Sequence, residues 1–124
     1  MTLDQATIDR LGSTMTVDLT TIGRTSCLPR TIEIWWFHVE GRFIITGTPG
    51  PRDWLANVRQ NPAIVITAPQ GEFHGTAVEI DDPNFKRKVF THPAIGWYQT
   101  QSQLDTLIET APMIEVRLEE APTN

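Results

Sequence analysis

Cysteine is nearly absent from this chain. One thiol, Cys27, among 124 residues excludes an internal disulfide framework and a zinc site built on cysteines. Basic charge is scarce too. Ten Lys and Arg stand against 15 Asp and Glu, for a net charge of −5. Nucleic acid and anionic membranes both ask for a basic surface, so neither is an expected partner. No apolar run approaches the ~18 residues of a spanning helix. No signal-peptide pattern opens the chain, and a cytoplasmic protein is expected. The three histidines, His38, His74 and His92, lie far apart with no carboxylate at ligand spacing, so no metal is expected. Tyrosine is reduced to a single residue, Tyr98.

What is present suits a small β protein. The length predicts one domain, residues 1–124. Eight glycines and nine prolines supply turns for many short strands, and four tryptophans supply large buried surfaces. A chain of this size has little core to spare for a roomy cavity. A pocket completed by a second copy, and hence a homodimer, is expected.

Periodicity places the elements. Leu3, Ile8 and Leu11 give a short helix stopped by Gly12. Met15, Val17 and Leu19 alternate with polar residues, as in a strand with one buried face. A polar turn, Gly23 to Arg30, separates this strand from the next, Thr31 to Val39. Ile32, Ile34 and Trp36 share one face of that second strand; Glu33, Trp35 and Phe37 share the other. Glu40-Gly41-Arg42 turns into a third strand from Phe43 to Thr48. Pro51 suits the first turn of a helix carrying Trp54, Leu55 and Val58. Strands follow over Ala63–Ala68 and Phe73–Ile80. Asp82-Pro83 starts another helix, Trp97 to Ile108 keeps helical spacing, and Met113–Leu118 is the last strand. The expected fold is mainly β: a six-stranded antiparallel barrel with short helices. Side chains fill a barrel of this size, so a ligand must sit outside it or between two barrels.

Two loops are built for an anion. Gly47 to Asp53 delivers a helix N-terminus, where backbone N–H groups face outward, with Arg52 in the first turn. A cation there opposes the helix dipole unless an anion joins it. Arg24, Thr25 and Ser26 give a guanidinium and two hydroxyls in the earlier turn. Arg52 rather than Arg30 is expected to carry anion binding. Lys86-Arg87-Lys88 reads as a solvated helical face, with attraction of an anionic tail on a ligand as the alternative. Trp35, Phe37, Trp97 and Tyr98 are candidates for a flat aromatic pocket. For Trp35 and Phe37, packing of the barrel's outside against the terminal helix is the competing reading.

These residues carry a resemblance. Thr21-Ile22-Gly23-Arg24-Thr25-Ser26 with Pro29-Arg30, then Trp36-Phe37, Gly47 to Asp53, Trp54-Leu55-Ala56-Asn57 and Asn61-Pro62, in this order, are similar to the deazaflavin-dependent nitroreductase family. That family belongs to the split β-barrel group of pyridoxamine phosphate oxidase-like flavoproteins. The resemblance runs from about Thr20 to Thr67 and more loosely to Leu118. It implies a split barrel with coenzyme F420, an 8-hydroxy-5-deazaflavin, in a groove beside it; FMN is the alternative cofactor. It puts Arg24, Thr25 and Ser26 at the cofactor's tail or phosphate. Thr46, Gly47, Thr48 and Arg52 would contact ring or phosphate, and Trp54 and Asn57 match the family's Trp-x-x-Asn element, which orders the loop. Thr25 and Cys27 stand where the family often has Lys and Gly.

The implied activity is reduction of an electron-poor small molecule, such as an enone, quinone or nitroarene. Trp35, Phe37 and Trp97 are then the substrate-side candidates and Tyr98 the proton donor. An FMN-dependent oxidoreductase and a cofactor carrier without turnover are the alternatives.

Overall fold

The computed structural model describes residues 5–119. Six strands close into one antiparallel barrel: β1 (Thr16–Ile22), β2 (Pro29–Val39), β3 (Arg42–Thr46), β4 (Ala63–Ala68), β5 (Gly71–Glu79) and β6 (Met113–Leu118). Around the barrel they run β1-β2-β3-β6-β5-β4, and β4 returns to pair with β1. Closure leaves no sheet edge for another chain to extend, except where the barrel is split.

The split has a register origin. β2 is 11 residues long and serves two partners in succession. Its first part, Pro29 to Trp35, pairs with β1, and its last part, Trp36 to Val39, pairs with β3. β3 ends at Thr46, and the chain leaves β2 at Gly47. Among the described residues no strand pairs with the outer edge of β2 from Pro29 to Trp35. That free edge is flanked by the loop that follows β3 and by α2 (Asp53–Gln60).

Two apolar clusters hold the molecule. Val17, Leu19, Trp36, Ile45, Ile66 and Ile114 fill the barrel, closed by Leu11 of α1 (Gln5–Ser13) and by Trp54 and Val58 of α2. Trp36 stacks on Phe43 at 4.4 Å and donates its indole N–H to the Thr14 carbonyl at 2.6 Å, so its one polar group is satisfied. The second cluster lies outside the barrel. There Phe37, Val39, Ile44 and Met113 meet Phe85, Val89 and Phe90 of α3 (Pro83–Phe90), Leu107 of α4 (Leu104–Thr110) and Tyr98 of a 3-10 helix, Pro93–Thr100. This second layer explains why Phe37 and Ile44 are apolar although they point away from the barrel interior.

Several expectations need correction. Helical spacing from Trp97 to Ile108 is broken: the 3-10 helix ends at Thr100 and α4 starts afresh at Leu104. Pro29 opens β2 opposite Ile22, a first-residue position that a proline tolerates. Ile32 and Ile34 are not core like Trp36, because this part of β2 runs along the split; Ile32 is exposed and Ile34 partly buried. Lys86 does not lie on a solvated face. It is buried, and its ammonium donates to the Ala111 carbonyl at 2.9 Å. The Asp82 cap and Pro83 start of α3 are as expected, with the Asp82 carboxylate accepting from the Asn84 N–H at 3.0 Å.

Candidate functional site

The free edge of β2 opens on two clefts that share Trp54 as a wall. The larger, about 690 Å³, lies at the β1–β2 turn. That turn is held by its own backbone: Gly23 N–H to Leu28 C=O at 2.8 Å and Cys27 N–H to Gly23 C=O at 2.9 Å. Cys27 sits in the left-handed region with φ 60°. A Cβ on Gly23 would meet the Ser26 hydroxyl, which would have to turn away to make room.

Asn57 joins this turn to α2. It is 4% exposed, and its carbonyl oxygen accepts from the Arg24 backbone N–H at 3.1 Å and from the Arg24 guanidinium at 3.0 Å. Its amide donates to the Thr21 hydroxyl at 3.0 Å. The Arg24 guanidinium also pairs with Asp53 at 3.3 Å. Arg24, Thr25, Ser26, Trp54 and Asn57 thus meet at one cleft. Arg30 lines it too, although the sequence argument gave it no role. The signal was its place on β2 one residue past Pro29, beyond the turn.

The smaller cleft, about 310 Å³, is bounded by the β3–α2 loop, β2 and the 3-10 helix. Thr46, Gly47, Thr48 and Arg52 form the loop side. Thr46 is buried, with its hydroxyl donating to the Pro112 carbonyl at 2.6 Å; the Gly47 N–H reaches the same carbonyl at 3.3 Å. α2 begins at Asp53, not at Pro51. Arg52 is the extended residue before it. Its guanidinium folds back on the loop, donating to the Thr48 carbonyl and hydroxyl, both at 2.9 Å, and to the Pro51 carbonyl at 3.1 Å. The unfavourable interaction with the helix dipole is eased because Arg52 precedes the helix, its donors are bonded to loop oxygens, and Asp53 occupies the first turn. A Cβ on Gly47 would stand 3.3 Å from an Arg52 guanidine nitrogen, so the loop packs tightly where it lacks a side chain.

Aromatic rings form the opposite side. Trp35 meets Trp97 edge to face at 5.5 Å, and Trp97 meets Tyr98 at 5.1 Å. Trp35 and Trp97 stay 39% and 48% exposed, while Tyr98 is 4% exposed. Burial pushes the Tyr98 phenol up to about 12, against a smaller downward pull from the Arg52 charge. Phe37 is the exception among the substrate-side candidates. It lies under Tyr98, ring centroids 6.0 Å apart, in the outer apolar cluster and not in this cleft. Its alternation with Trp35 put both on one face, but β2 has by then passed under the helical layer. Glu33, overlooked as a candidate, also lines the smaller cleft. Its place on the Trp35 face of β2 was the available signal.

The family model described as F420H2-dependent quinone reductase matches residues 4–117. The chain belongs to the F420H2-dependent quinone reductase family. It is therefore an F420-dependent oxidoreductase, and the split barrel is the fold of its structural neighbours. A conserved hypothetical protein from Mycobacterium tuberculosis superposes with a TM-score of 0.70 at 17% identity, over 97% of this chain and 83% of that one. An F420H2-dependent reductase superposes at 0.61 with 20% identity, over 94% and 98% of the two chains. A structure described as a domain-swapped dimer gives 0.61 and 20%, over 90% and 92%. No curated protein matches the chain.

The residues of the site fit the family's cofactor. F420 couples a flat tricyclic ring to an anionic tail. The cleft at the β1–β2 turn supplies guanidinium groups and hydroxyls. The loop beside Arg52 packs close on glycine, and Trp54 divides a polar end from an aromatic one.

Proposed function

We propose that this reductase transfers hydride from reduced F420 to an electron-poor small molecule, a quinone, enone or nitroarene, bound against Trp35, Trp97 and Tyr98. One observation carries this reading: Trp54 is a common wall of a cleft lined by guanidinium groups and a cleft lined by aromatic rings. Bound F420 supplies the hydride; the chain binds, orients and keeps out water.

Arg24, Thr25, Ser26 and Arg30 hold the anionic tail by charge-assisted hydrogen bonds. Asn57 fixes the backbone and guanidinium of Arg24, and so positions the tail site. Thr46, Gly47 and Thr48 border the ring, in a loop tied to Pro112 and braced by Arg52. The Tyr98 phenol keeps its proton at neutral pH and gives it to the acceptor's oxygen as hydride arrives. Phe37 supports Tyr98 from beneath and makes no substrate contact.

We read residues 1–124 as one cofactor-binding domain of a cytoplasmic homodimer. Ile32, Trp35 and Trp97 leave apolar surface along the groove, which a second copy would cover. The domain-swapped neighbour supports this reading. Among the described residues no helix is long and apolar enough to cross a membrane.

The test is anaerobic oxidation of reduced F420 by a neutral naphthoquinone. Saturable turnover is expected, with Tyr98→Phe lowering kcat more than it raises KM. Absence of turnover with quinone, enone and nitroarene alike would refute the reading.

A further inference from the structure

Glu33 has no structural employment. It lines the smaller cleft and is exposed, and it makes no hydrogen bond or ion pair among the described residues. In the β1–β2 register it stands directly opposite Asp18, which has no such partner either. Like charges facing each other across neighbouring strands disfavour pairing. Neighbouring positions show the alternative: the next pair on this face, Thr20 and Thr31, joins through a hydroxyl–hydroxyl hydrogen bond of 2.8 Å. The fold therefore tolerates two carboxylates where a neutral pair would pack better.

The charges in the smaller cleft are divided between its sides. Arg52 and Glu33 are the charged residues lining it. The Arg52 guanidinium belongs to the β3–α2 loop, where its donors are engaged by Thr48 and Pro51. Glu33 belongs to β2, two residues from Trp35, and forms no ion pair among the described residues. An incoming molecule seated on Trp35 meets the Glu33 carboxylate, with Asp18 opposite it on β1, on the β2 side of the cleft, and the Arg52 guanidinium on the loop side.

We infer that Glu33, backed by Asp18, is a specificity-determining residue that excludes anionic acceptors and admits neutral or cationic ones. The inference rests on the reading of the smaller cleft as the acceptor side. Nothing in the hydride chemistry demands it, since the transfer itself is indifferent to a remote charge on the acceptor.

The experiment compares a neutral naphthoquinone with its sulfonated counterpart at low ionic strength. Equilibrium binding is read by quenching of tryptophan fluorescence, and turnover is read separately with reduced F420. Wild type should bind the neutral compound more tightly. Glu33→Gln should tighten the sulfonate by about fivefold and leave the neutral compound within about twofold, the scale of one unit charge a few ångströms away in water. Glu33→Lys should reverse the preference, Asp18→Asn should give a smaller change than Glu33→Gln, and salt should narrow all differences. An unaltered ratio of the two affinities in both Glu33 variants, with F420 binding retained, overturns the inference. Quenching does not depend on turnover. Loss of turnover with the affinity ratios as expected would count against the acceptor reading and not against the role of Glu33.

Discussion

A single carboxamide ties the β1–β2 turn to α2: the Asn57 carbonyl oxygen accepts both the backbone N–H and the guanidinium of Arg24, at 3.1 and 3.0 Å. Asn57 sits on α2, Arg24 on the β1–β2 turn 33 residues away. Its amide donates to the Thr21 hydroxyl, so both ends of this buried side chain are hydrogen-bonded.

Asn57→Ala removes all three bonds and leaves buried Thr21 with one partner fewer. The cost should be about 1–3 kcal/mol of stability, the range for unsatisfied buried polar groups. F420 affinity should fall about tenfold, because the Arg24 turn loses its anchor. Denaturant unfolding and a fluorescence titration check the two effects. Asn57→Asp keeps the acceptor for Arg24 and should recover most of the affinity.

Tyr98 is the chain's one tyrosine, so phenolate absorbance reports it alone. Folded protein should titrate near 12, where an unfolded chain titrates near 10. The folded value is the higher one. This group's contribution to stability is therefore complete below pH 10 and is lost as pH rises toward 12. A titration midpoint at the unfolded value would show that the phenol is not shielded.

Lys86 has the opposite linkage. Burial pulls its ammonium below its ordinary value, against the upward pull of Asp81 and Glu79. Between the folded and unfolded values the unfolded chain holds the extra proton, so stability rises with pH there, toward 10.5. Lys86→Met should abolish that alkaline rise, measured as the pH dependence of Tm. Its bond to Ala111, next to the Pro112 carbonyl that holds Thr46, predicts a looser groove loop as well.

Arg30 and Arg52 separate two functions. Arg30 lines the larger cleft with an exposed side chain, whereas Arg52 is engaged by its own loop. Arg30→Ala should weaken F420 binding and reduce its salt sensitivity. Arg52→Ala should weaken binding at every ionic strength, because the loop itself loosens. Titrations at two salt concentrations distinguish them.

The elements were legible where the hydrophobic period was unbroken. β4 and β6 have the bounds expected from the sequence, β4 from a short apolar run and β6 from alternation, and the Asp82-Pro83 start is a local signal with a local cause. What escaped depended on distant partners. Phe37 and Trp35 share a face by period, but β2 changes partner at Trp36, so one is covered by the helical layer and the other borders the groove. The burial of Lys86 depends on a carbonyl 25 residues away. The two loops proposed to hold an anion stood out by their glycines, prolines and arginines; the link of the first to α2 through Asn57 was readable only as a family pattern, since no local rule pairs residues 24 and 57.

The most direct measurement is a fluorescence titration of the purified protein with F420, run beside FMN. Saturable binding of F420 in the micromolar range or below, weaker in Arg24→Ala and at raised salt, is the predicted result. No binding of F420, or tighter binding of FMN, would contradict the account.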